Sequence, residues 1–150
     1  MGIELSTAEI DRYMLQSPRL ILCVSREGKA PLAVPMWFGW KEGEIYMDTL
    51  LASKKVGYIR KNPLISCVVE SGEKYFSLKA VLLIGPCEII DHPDEVKKTG
   101  GVIRQTKPIY QELFPADPPP HIKRIYEAPR AILRLKPDSL TSWDFAKVRR

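Results

Sequence analysis

The sequence has few of the features that mark membrane, secreted or disulfide-bonded proteins. No apolar run reaches the ~18 residues that a membrane-spanning helix needs, and the N-terminal residues lack the basic and then apolar pattern of a secretion signal. Only three of the 150 residues are cysteines, and none of them forms a C-x-x-C pair. With 45% hydrophobic and 27% charged residues, the chain is typical of an ordinary globular protein. We therefore expect a single cytoplasmic domain over residues 1–150, with no membrane attachment.

The sequence also gives little support for a metal site. Cys23, Cys67 and Cys87 each lie in an apolar, β-branched stretch, where a free thiol packs as a small hydrophobic group. His92 and His121 both lie beside prolines in predicted loops, without the carboxylate pattern of a metal centre. We expect free thiols and no metal site.

The net charge of +5 indicates an anionic partner only in general terms. The basic residues form short clusters, and none of these is a long basic run interleaved with aromatic residues, the pattern typical of a nucleic-acid interface. A bound phosphate or a solvated basic face would explain the charge equally well. We therefore expect no nucleic-acid partner.

Apolar and β-branched stretches predict a mainly β fold. Six such stretches are separated by short connections, and the first three follow one another closely enough to predict an antiparallel meander. Helical spacing occurs at 7–16, 53–61, 93–114 and 122–126, with a break near Pro108. The pattern predicts a six-stranded antiparallel barrel with peripheral helices. The predicted strands are residues 19–26, 30–40, 45–49, 64–70, 75–91 and 130–135.

Prolines and one glycine indicate where these strands are irregular. Pro31 and Pro35 lack an N–H, so the second strand should be interrupted or should lie at a sheet edge. Gly85 and Pro86 fall in the middle of the long fifth strand and predict a bulge or bend, which barrel strands need where they curve.

The candidate binding residues lie where the third strand ends and a helix begins. Ser53, Lys54 and Lys55 open this helix, and the free N–H groups and partial positive charge of a helix N-terminus suit a phosphate. Lysines oppose the helix dipole at that end, and a bound anion would offset the cost. A simpler interpretation, a serine N-cap followed by two solvated lysines, remains open from the spacing alone.

Four segments of the sequence form a combination that is more specific than any one of them. Pro31-x-x-x-Pro35-Met36-Trp37-Phe38 precedes a turn and Ile45-Tyr46-Met47-Asp48-Thr49, and Ser53-Lys54-Lys55-Val56 continues to Arg60-Lys61-Asn62-Pro63. The fourth segment is the tail Ser142-Trp143-Asp144-Phe145-Ala146-Lys147. The combination resembles the flavin-binding split barrels, the pyridoxamine-phosphate-oxidase-like proteins and their deazaflavin-dependent reductase relatives, from about Leu20 to Glu88 and again at the tail.

The resemblance implies an FMN-binding split barrel that forms a homodimer. In the family, the backbone of one strand lines the flavin ring, and a strand end and the following helix start hold the phosphate. Lys79 would lie near the cofactor across the dimer interface, and Trp143 would flank the ring. Packing roles for Trp37 and Trp143 and a solvent-facing Lys79 remain alternatives. The implied cofactor-binding residues are Val34, Pro35, Met36 and Trp37 at the ring, Thr49, Ser53, Lys54 and Lys55 at the phosphate, and Lys79 and Trp143.

Several positions depart from the family pattern. Gly57 and Tyr58 stand where relatives often carry Arg and Asn, and Lys79-Ala80 stands where pyridoxamine-phosphate oxidases carry an Arg-Gln pair. The family's later Arg and His for the pyridoxal substrate have no visible counterpart. These departures argue against a true pyridoxamine-phosphate oxidase.

The function implied by the resemblance is a flavin-dependent oxidoreductase acting on a small molecule. FMN is the expected cofactor, and the deazaflavin coenzyme F-420 is the alternative. The cofactor would carry the redox chemistry, so no catalytic residue is assigned and none of the usual catalytic side-chain sets is needed. A different hypothesis is a non-catalytic flavin- or haem-binding barrel, in which His92 or His121 would be the axial haem ligand.

Overall fold

The structure, a computed structural model, describes residues 2–113 and 115–149, which contain eight strands, five α-helices and two short 3-10 helices. The strands are β1 Leu20–Val24, β2 Leu32–Met36, β3 Gly39–Lys41, β4 Glu44–Leu50, β5 Leu64–Ser71, β6 Lys79–Ile90, β7 Arg130–Leu135 and β8 Ser139–Asp144. The helices are α1 Thr7–Gln16, α2 Lys54–Lys61, α3 Pro93–Thr106, α4 Ile109–Leu113 and α5 Pro120–Glu127.

The sheet is antiparallel and curls back on itself. Its strands follow the order β2-β1-β5-β6-β7-β4-β3, and β8 pairs with β6. β2 and β3 lie at opposite ends of this order, although only Trp37 and Phe38 separate them in the chain. Two linking residues allow the Cα atoms of Met36 and Gly39 to be at most about 11 Å apart. The two ends of the sheet therefore meet, and the sheet forms an open, curled half-barrel.

The mainly β, antiparallel fold is confirmed, but the predicted number of six strands is wrong. The predicted second strand, 30–40, breaks at Trp37 and Phe38 into β2 and β3, because the chain crosses there from one end of the sheet to the other. β2 pairs with β1, and β3 pairs with β4, so the predicted meander is interrupted at this point. The eighth strand, β8, lies in the segment interpreted as a tail.

The sheet topology accounts for the proline at position 35 and the glycine at position 85. β2, which contains Pro35, ends the strand order and stops after Met36, so the expected edge and the expected interruption are both present. β6 remains one continuous strand through Gly85, but its pairing partner changes there. Its first half pairs with β8, and its last four residues pair with β7. A Cβ at Gly85 would lie 2.5 Å from the carbonyl oxygen of Lys136, so only glycine lets the β7–β8 connection pass.

Two buried clusters form the hydrophobic core. The larger fills the barrel and includes the fully buried Phe38, Leu22, Ile45, Met47 and Leu133. The smaller joins α3 and α4 to the outside of the barrel through Tyr46, Ile90, Ile103, Tyr110 and Ile132.

The three cysteines are free thiols, as expected. Cys67 and Cys87 are buried and Cys23 is half-buried. Burial raises the pKa of Cys87 to about 12 and raises the pKa of Cys67 as well, so both are neutral packing groups at neutral pH.

The helix predictions are confirmed with small shifts of their ends. α1 spans 7–16 behind a Ser6 cap, and the break near Pro108 separates α3 from α4. The predicted helix end at Phe114 lies outside the described residues. Within those residues, no helix is both long enough and apolar enough to cross a membrane.

Candidate functional site

The residues predicted to bind a cofactor lie in three places in the fold. Residues 34–37 occupy the end of β2 and the link to β3, which we call the seam. Residues 49–55 occupy the end of β4 and the beginning of α2, which we call the α2 start. Lys79 and Trp143 lie at the first residue of β6 and near the end of β8, which we call the tail end.

At the seam, β2 offers its backbone edge and one aromatic ring. Val34 and Met36 are half-buried against the barrel core, and Pro35 is exposed on the opposite face of the strand. Trp37 is 37% exposed. Its indole stacks on Tyr110, with ring centroids 4.4 Å apart and planes within 3°. The seam therefore combines a strand edge with a stacked, partly exposed aromatic ring.

At the α2 start, a buried hydroxyl has no hydrogen-bond partner. Thr49 is buried in β4 opposite Ala131 of β7. Ser53 is the N-cap residue of α2, yet its side chain caps no N–H of the helix. Its Oγ is buried and has no hydrogen-bond partner among the described residues. Because leaving such an atom unpaired costs about 1–3 kcal/mol, the position favours a ligand that accepts a hydrogen bond from the hydroxyl.

Positive charge is concentrated around the same hydroxyl. Burial lowers the pKa of Lys55 below its usual value, and the nearby charge of Arg130 lowers it further. The first turn of α2 contains no acidic residue and begins with Lys54. Arg130 is paired with Asp48, with Nε and Oδ1 3.0 Å apart, so Asp48 balances one of these three cations. The first N–H groups of α2 add a partial positive charge.

These features fit an anionic group such as a phosphate at the α2 start. One of its oxygens would accept the hydrogen bond that Ser53 Oγ can donate, and others would face the helix N–H groups. Its negative charge would also relieve the repulsion between Lys55 and Arg130. The fit rests on an unpaired buried atom and on the placement of Arg130 near Lys55, neither of which sequence spacing alone provides.

At the tail end, the charges are already paired. Lys79 Nζ lies 3.7 Å from Asp144 Oδ2 and 5.3 Å from the centroid of the Tyr13 ring. Asp144 is buried, and its Oδ1 also accepts a hydrogen bond from the backbone N–H of Ala146 at 3.0 Å. Trp143 is half-buried and lies opposite Ala80 in the β6–β8 ladder. Lys79 and Trp143 thus make contacts that support the fold of their own chain.

The α2 start and the tail end lie at opposite ends of β6. Lys79 is the first residue of β6, whereas Ile90, its last residue, pairs with Ile132, two positions from Arg130. A strand of 12 residues at roughly 3.3 Å per residue is on the order of 35 Å long. Within one chain, the structure therefore does not bring Lys79 or Trp143 to Ser53.

Two neighbours of the predicted residues carried no sequence signal. Arg130 reaches the α2 start because β7 pairs with β4, with Arg130 opposite Leu50. Tyr110 reaches Trp37 because α4 packs on the barrel beside the seam. Both placements depend on long-range pairing and packing, which a local pattern does not contain.

The histidines have no metal-site geometry among the residues that the structure describes. His92 precedes α3 and His121 lies in α5, and both are exposed. No group of three or more His, Cys, Asp or Glu side chains in the described part of the chain is placed to hold a metal ion.

A cleft of about 300 Å³ lies between α1 and the outer face of the sheet, near the tail end. Tyr13, Arg19, Ile21, Glu70 and Ser71 are among its lining residues. Tyr13 also contacts Lys79, through the ring described above and through a hydrogen bond from its hydroxyl to the Lys79 carbonyl oxygen at 3.1 Å.

Comparison with known proteins finds similarity in structure. No protein-family model matches the chain, and no protein of curated function matches it. A conserved hypothetical protein of Mycobacterium tuberculosis superposes with a TM-score of 0.80 at 24% identity, over 99% of this chain and 91% of that protein. An FAD-binding protein of Mesorhizobium loti superposes with a TM-score of 0.68 at 17% identity, over 92% and 94% of the two chains. An F-420 reductase gives a TM-score of 0.61 at 20% identity, over 85% and 92%.

Similarity of this kind establishes the fold. TM-scores of 0.61 to 0.80 over nearly complete chains show the same architecture, while identities of 24% or less leave the function of each protein its own. The chain therefore has the split-barrel fold that its sequence resemblance to the pyridoxamine-phosphate-oxidase-like proteins implied.

Proposed function

We propose that this protein is a flavin-dependent oxidoreductase that holds FMN by its phosphate at the α2 start. The observation that carries the proposal is the Ser53 hydroxyl, which is buried at the N-terminus of α2 with no partner among the described residues. Two structures with the same fold are an FAD-binding protein and an F-420 reductase, which supports a flavin-type cofactor.

In this proposal, each residue of the α2 start has a distinct role. Ser53 Oγ donates a hydrogen bond to a phosphate oxygen, and Lys55 and Arg130 neutralise the phosphate charge. Lys54, which is exposed, adds attraction at longer range. Thr49 fixes the end of β4 from which the helix departs.

The seam would hold the ring system of the cofactor. β2 ends the strand order, so one side of its backbone at Val34 to Trp37 is left for hydrogen bonds to a ligand. The bound flavin supplies the group that accepts and donates hydride or electrons, and the protein binds, orients and shields it.

We further propose that the protein acts as a twofold homodimer with the cofactor between the subunits. On the outer face of the sheet, Ile21, Leu64 and Ile84 are 36%, 57% and 39% exposed. Cross-strand pairing places Ile21 opposite Val68 and Val68 opposite Leu82, while Ile84 and Leu64 lie farther along the same two strands, opposite Ser66 and Pro86. An exposed apolar patch on a sheet is typical of a subunit interface.

A twofold axis through this face would overcome the distance between the α2 start and the tail end, which lie at opposite ends of β6 in one chain. It would bring Lys79 and Trp143 of the partner subunit towards Ser53, which one chain does not do. The cleft beside the tail end would then adjoin the cofactor and give space for a small-molecule substrate.

The absorption spectrum of the purified protein tests the class of cofactor. A flavin shows two visible bands, a deazaflavin shows one, and a haem shows a Soret band. Turnover of a reduced nicotinamide with an electron acceptor then separates an oxidoreductase from a binding protein. Two flavin bands with turnover support the proposal. A deazaflavin or Soret spectrum, or bound flavin without turnover, contradicts it in favour of the alternatives.

Lys55→Glu tests the phosphate site. A carboxylate beside the phosphate should weaken FMN binding on the order of 100-fold, because the change reverses one charge near a dianion. Circular dichroism and thermal unfolding should show an intact fold. Fluorescence titration with FMN measures the affinity.

The matched control is Lys61→Glu, which makes the same change at the last residue of the same helix. This variant should keep FMN. Full FMN occupancy in Lys55→Glu, or equal losses in the two variants, would show that the phosphate is bound elsewhere.

A further inference from the structure

Lys107, in the link between α3 and α4, and Tyr110, in the first turn of α4, are buried against the seam. Lys107 is 0% exposed and Tyr110 is 4% exposed. Lys107 Nζ donates a hydrogen bond to the carbonyl oxygen of Ser17 and lies 3.5 Å from the centroid of the Phe38 ring. Lysine is rarely buried to this extent, and burial lowers the pKa of Lys107 to about 7. The amine of Lys107 is therefore buried, at a cost in folding free energy, where the two ends of the sheet meet.

Tyr110 holds the same point with both its hydroxyl and its ring. The hydroxyl accepts a hydrogen bond from the Phe38 N–H at 3.0 Å and donates one to the carbonyl oxygen of Pro18 at 2.7 Å. The ring lies nearly parallel to the indole of Trp37 at a centroid distance of 4.4 Å. One side chain therefore fixes the backbone of Phe38 and the plane of Trp37 together.

We propose that Tyr110 is a positioning residue, which fixes the indole of Trp37 as a rigid wall against which the ring system of the flavin packs. This inference rests on the proposed function and adds to it a second anchoring point, separate from the phosphate site. An aromatic side chain that is already ordered loses no rotamer freedom when a ligand packs on it, so the stack raises affinity for the ring. Lys107 supports the arrangement by tying Phe38 to Ser17.

A purely structural role for Tyr110 makes a different prediction. If Tyr110 only packs α4 on the barrel, its removal lowers the free energy of unfolding and has the same effect on every ligand. If it positions Trp37, its removal weakens binding of the ring and leaves binding at the α2 start unchanged. Riboflavin, which has the ring without the phosphate, and inorganic phosphate are the two probes that separate these outcomes.

The experiment is a double-mutant cycle with Tyr110→Leu and Trp37→Leu, measured at a temperature where every variant is folded. Riboflavin affinity should fall about tenfold in each single variant and no further in the double variant, because both act through one stack. The dissociation constant of inorganic phosphate should stay unchanged. Tyr110→Phe keeps the ring against Trp37 but loses the hydroxyl, so it should lose stability and yet keep riboflavin affinity within about threefold.

The possible results distinguish failure of the positioning role of Tyr110 from failure of the proposed flavin function. Unchanged riboflavin affinity in Tyr110→Leu, additive losses in the double variant, or parallel losses of riboflavin and phosphate affinity would overturn the positioning role alone. A wild-type protein that binds phosphate and no riboflavin would overturn the proposed flavin function and this inference with it. If Tyr110→Leu does not fold, Tyr110→Met takes its place in the cycle, with the same expected losses.

Discussion

Helices α1 and α2 begin in nearly the same backbone geometry and are completed in opposite ways. Their N-cap residues, Ser6 and Ser53, have φ and ψ values of −69° and 165°, and −67° and 148°. Ser6 Oγ accepts a hydrogen bond from the Glu9 N–H at 3.2 Å, and the Glu9 carboxylate accepts one from the Ser6 N–H at 2.9 Å. Ser53 Oγ makes no such bond.

The two helices also differ at their third residue. The third residue of α1 is Glu9, which completes a capping box, whereas the third residue of α2 is Val56, which is 2% exposed in the core. The first turn of α2 carries Lys54 and Lys55 instead of an acid. A helix start with a complete capping box stabilises the fold, and one that leaves its cap hydroxyl unpaired beside cations is suited to an external anion.

The largest effect should come from giving α2 the charge pattern of α1. Lys54→Glu puts an acidic residue into the first turn of α2 and should weaken binding of inorganic phosphate on the order of tenfold. The free energy of unfolding of the ligand-free protein should rise by roughly 0.5 kcal/mol, because the acid complements the helix dipole. Calorimetric titration and urea unfolding measure the two effects. A loss of stability would mean that Lys54 serves the fold and not an anion.

A smaller effect should separate the two serines. Ser6→Ala removes a capping hydrogen bond and should lower the free energy of unfolding by about 1 kcal/mol. Ser53→Ala removes a hydroxyl without a partner, so stability should be unchanged or slightly higher while phosphate affinity falls several-fold. Urea unfolding of both variants and phosphate titration of Ser53→Ala provide the comparison. Equal losses of stability would show that Ser53 is an ordinary cap.

The smallest effect concerns pH and is confined to α1. The hydrogen bond from Lys147, at 2.7 Å, and that from Ser6 lower the pKa of Glu9 from its usual 4.5 to about 2. Because the folded-state pKa is the lower one, the contribution of Glu9 is fully present above pH 4.5 and is lost as the pH falls towards 2. The difference in unfolding free energy between wild type and Glu9→Gln should shrink over this interval. A difference that stays constant from pH 5 to pH 2 would contradict the assignment.

The parts of the fold that could be predicted from the sequence are those with local causes. α1 and α2 combine helical spacing with end signals, and the chain itself places Ser53 and Lys55 at a strand-to-helix boundary. β8 has no such cause. Four of its six residues are polar, and they form a strand because β6, 55 to 65 residues earlier, offers an edge to pair with.

The same distinction applies to the candidate site. The position of Lys55 beside a helix N-terminus is a local property. The position of Arg130 near Lys55 depends instead on the register between β4 and β7. The orphaned state of Ser53 Oγ also depends on surroundings, because it requires both burial and the absence of an acceptor among the described residues. Trp37 could be singled out by resemblance, whereas its stacking partner Tyr110 required the packing of α4.

The pairing of β4 with β7 also sets an order for biosynthesis. The paired residues lie 80 to 90 positions apart, so β1 to β6 leave the ribosome before β4 can pair with its second neighbour, β7. Until then the nascent chain carries an open strand edge that other chains can join, and closing so long a loop is slow. Because β7 begins with Arg130, the step that closes the sheet also delivers the last cation to the α2 start. Barrel closure and completion of the proposed anion site would then be one event in the maturation of this protein.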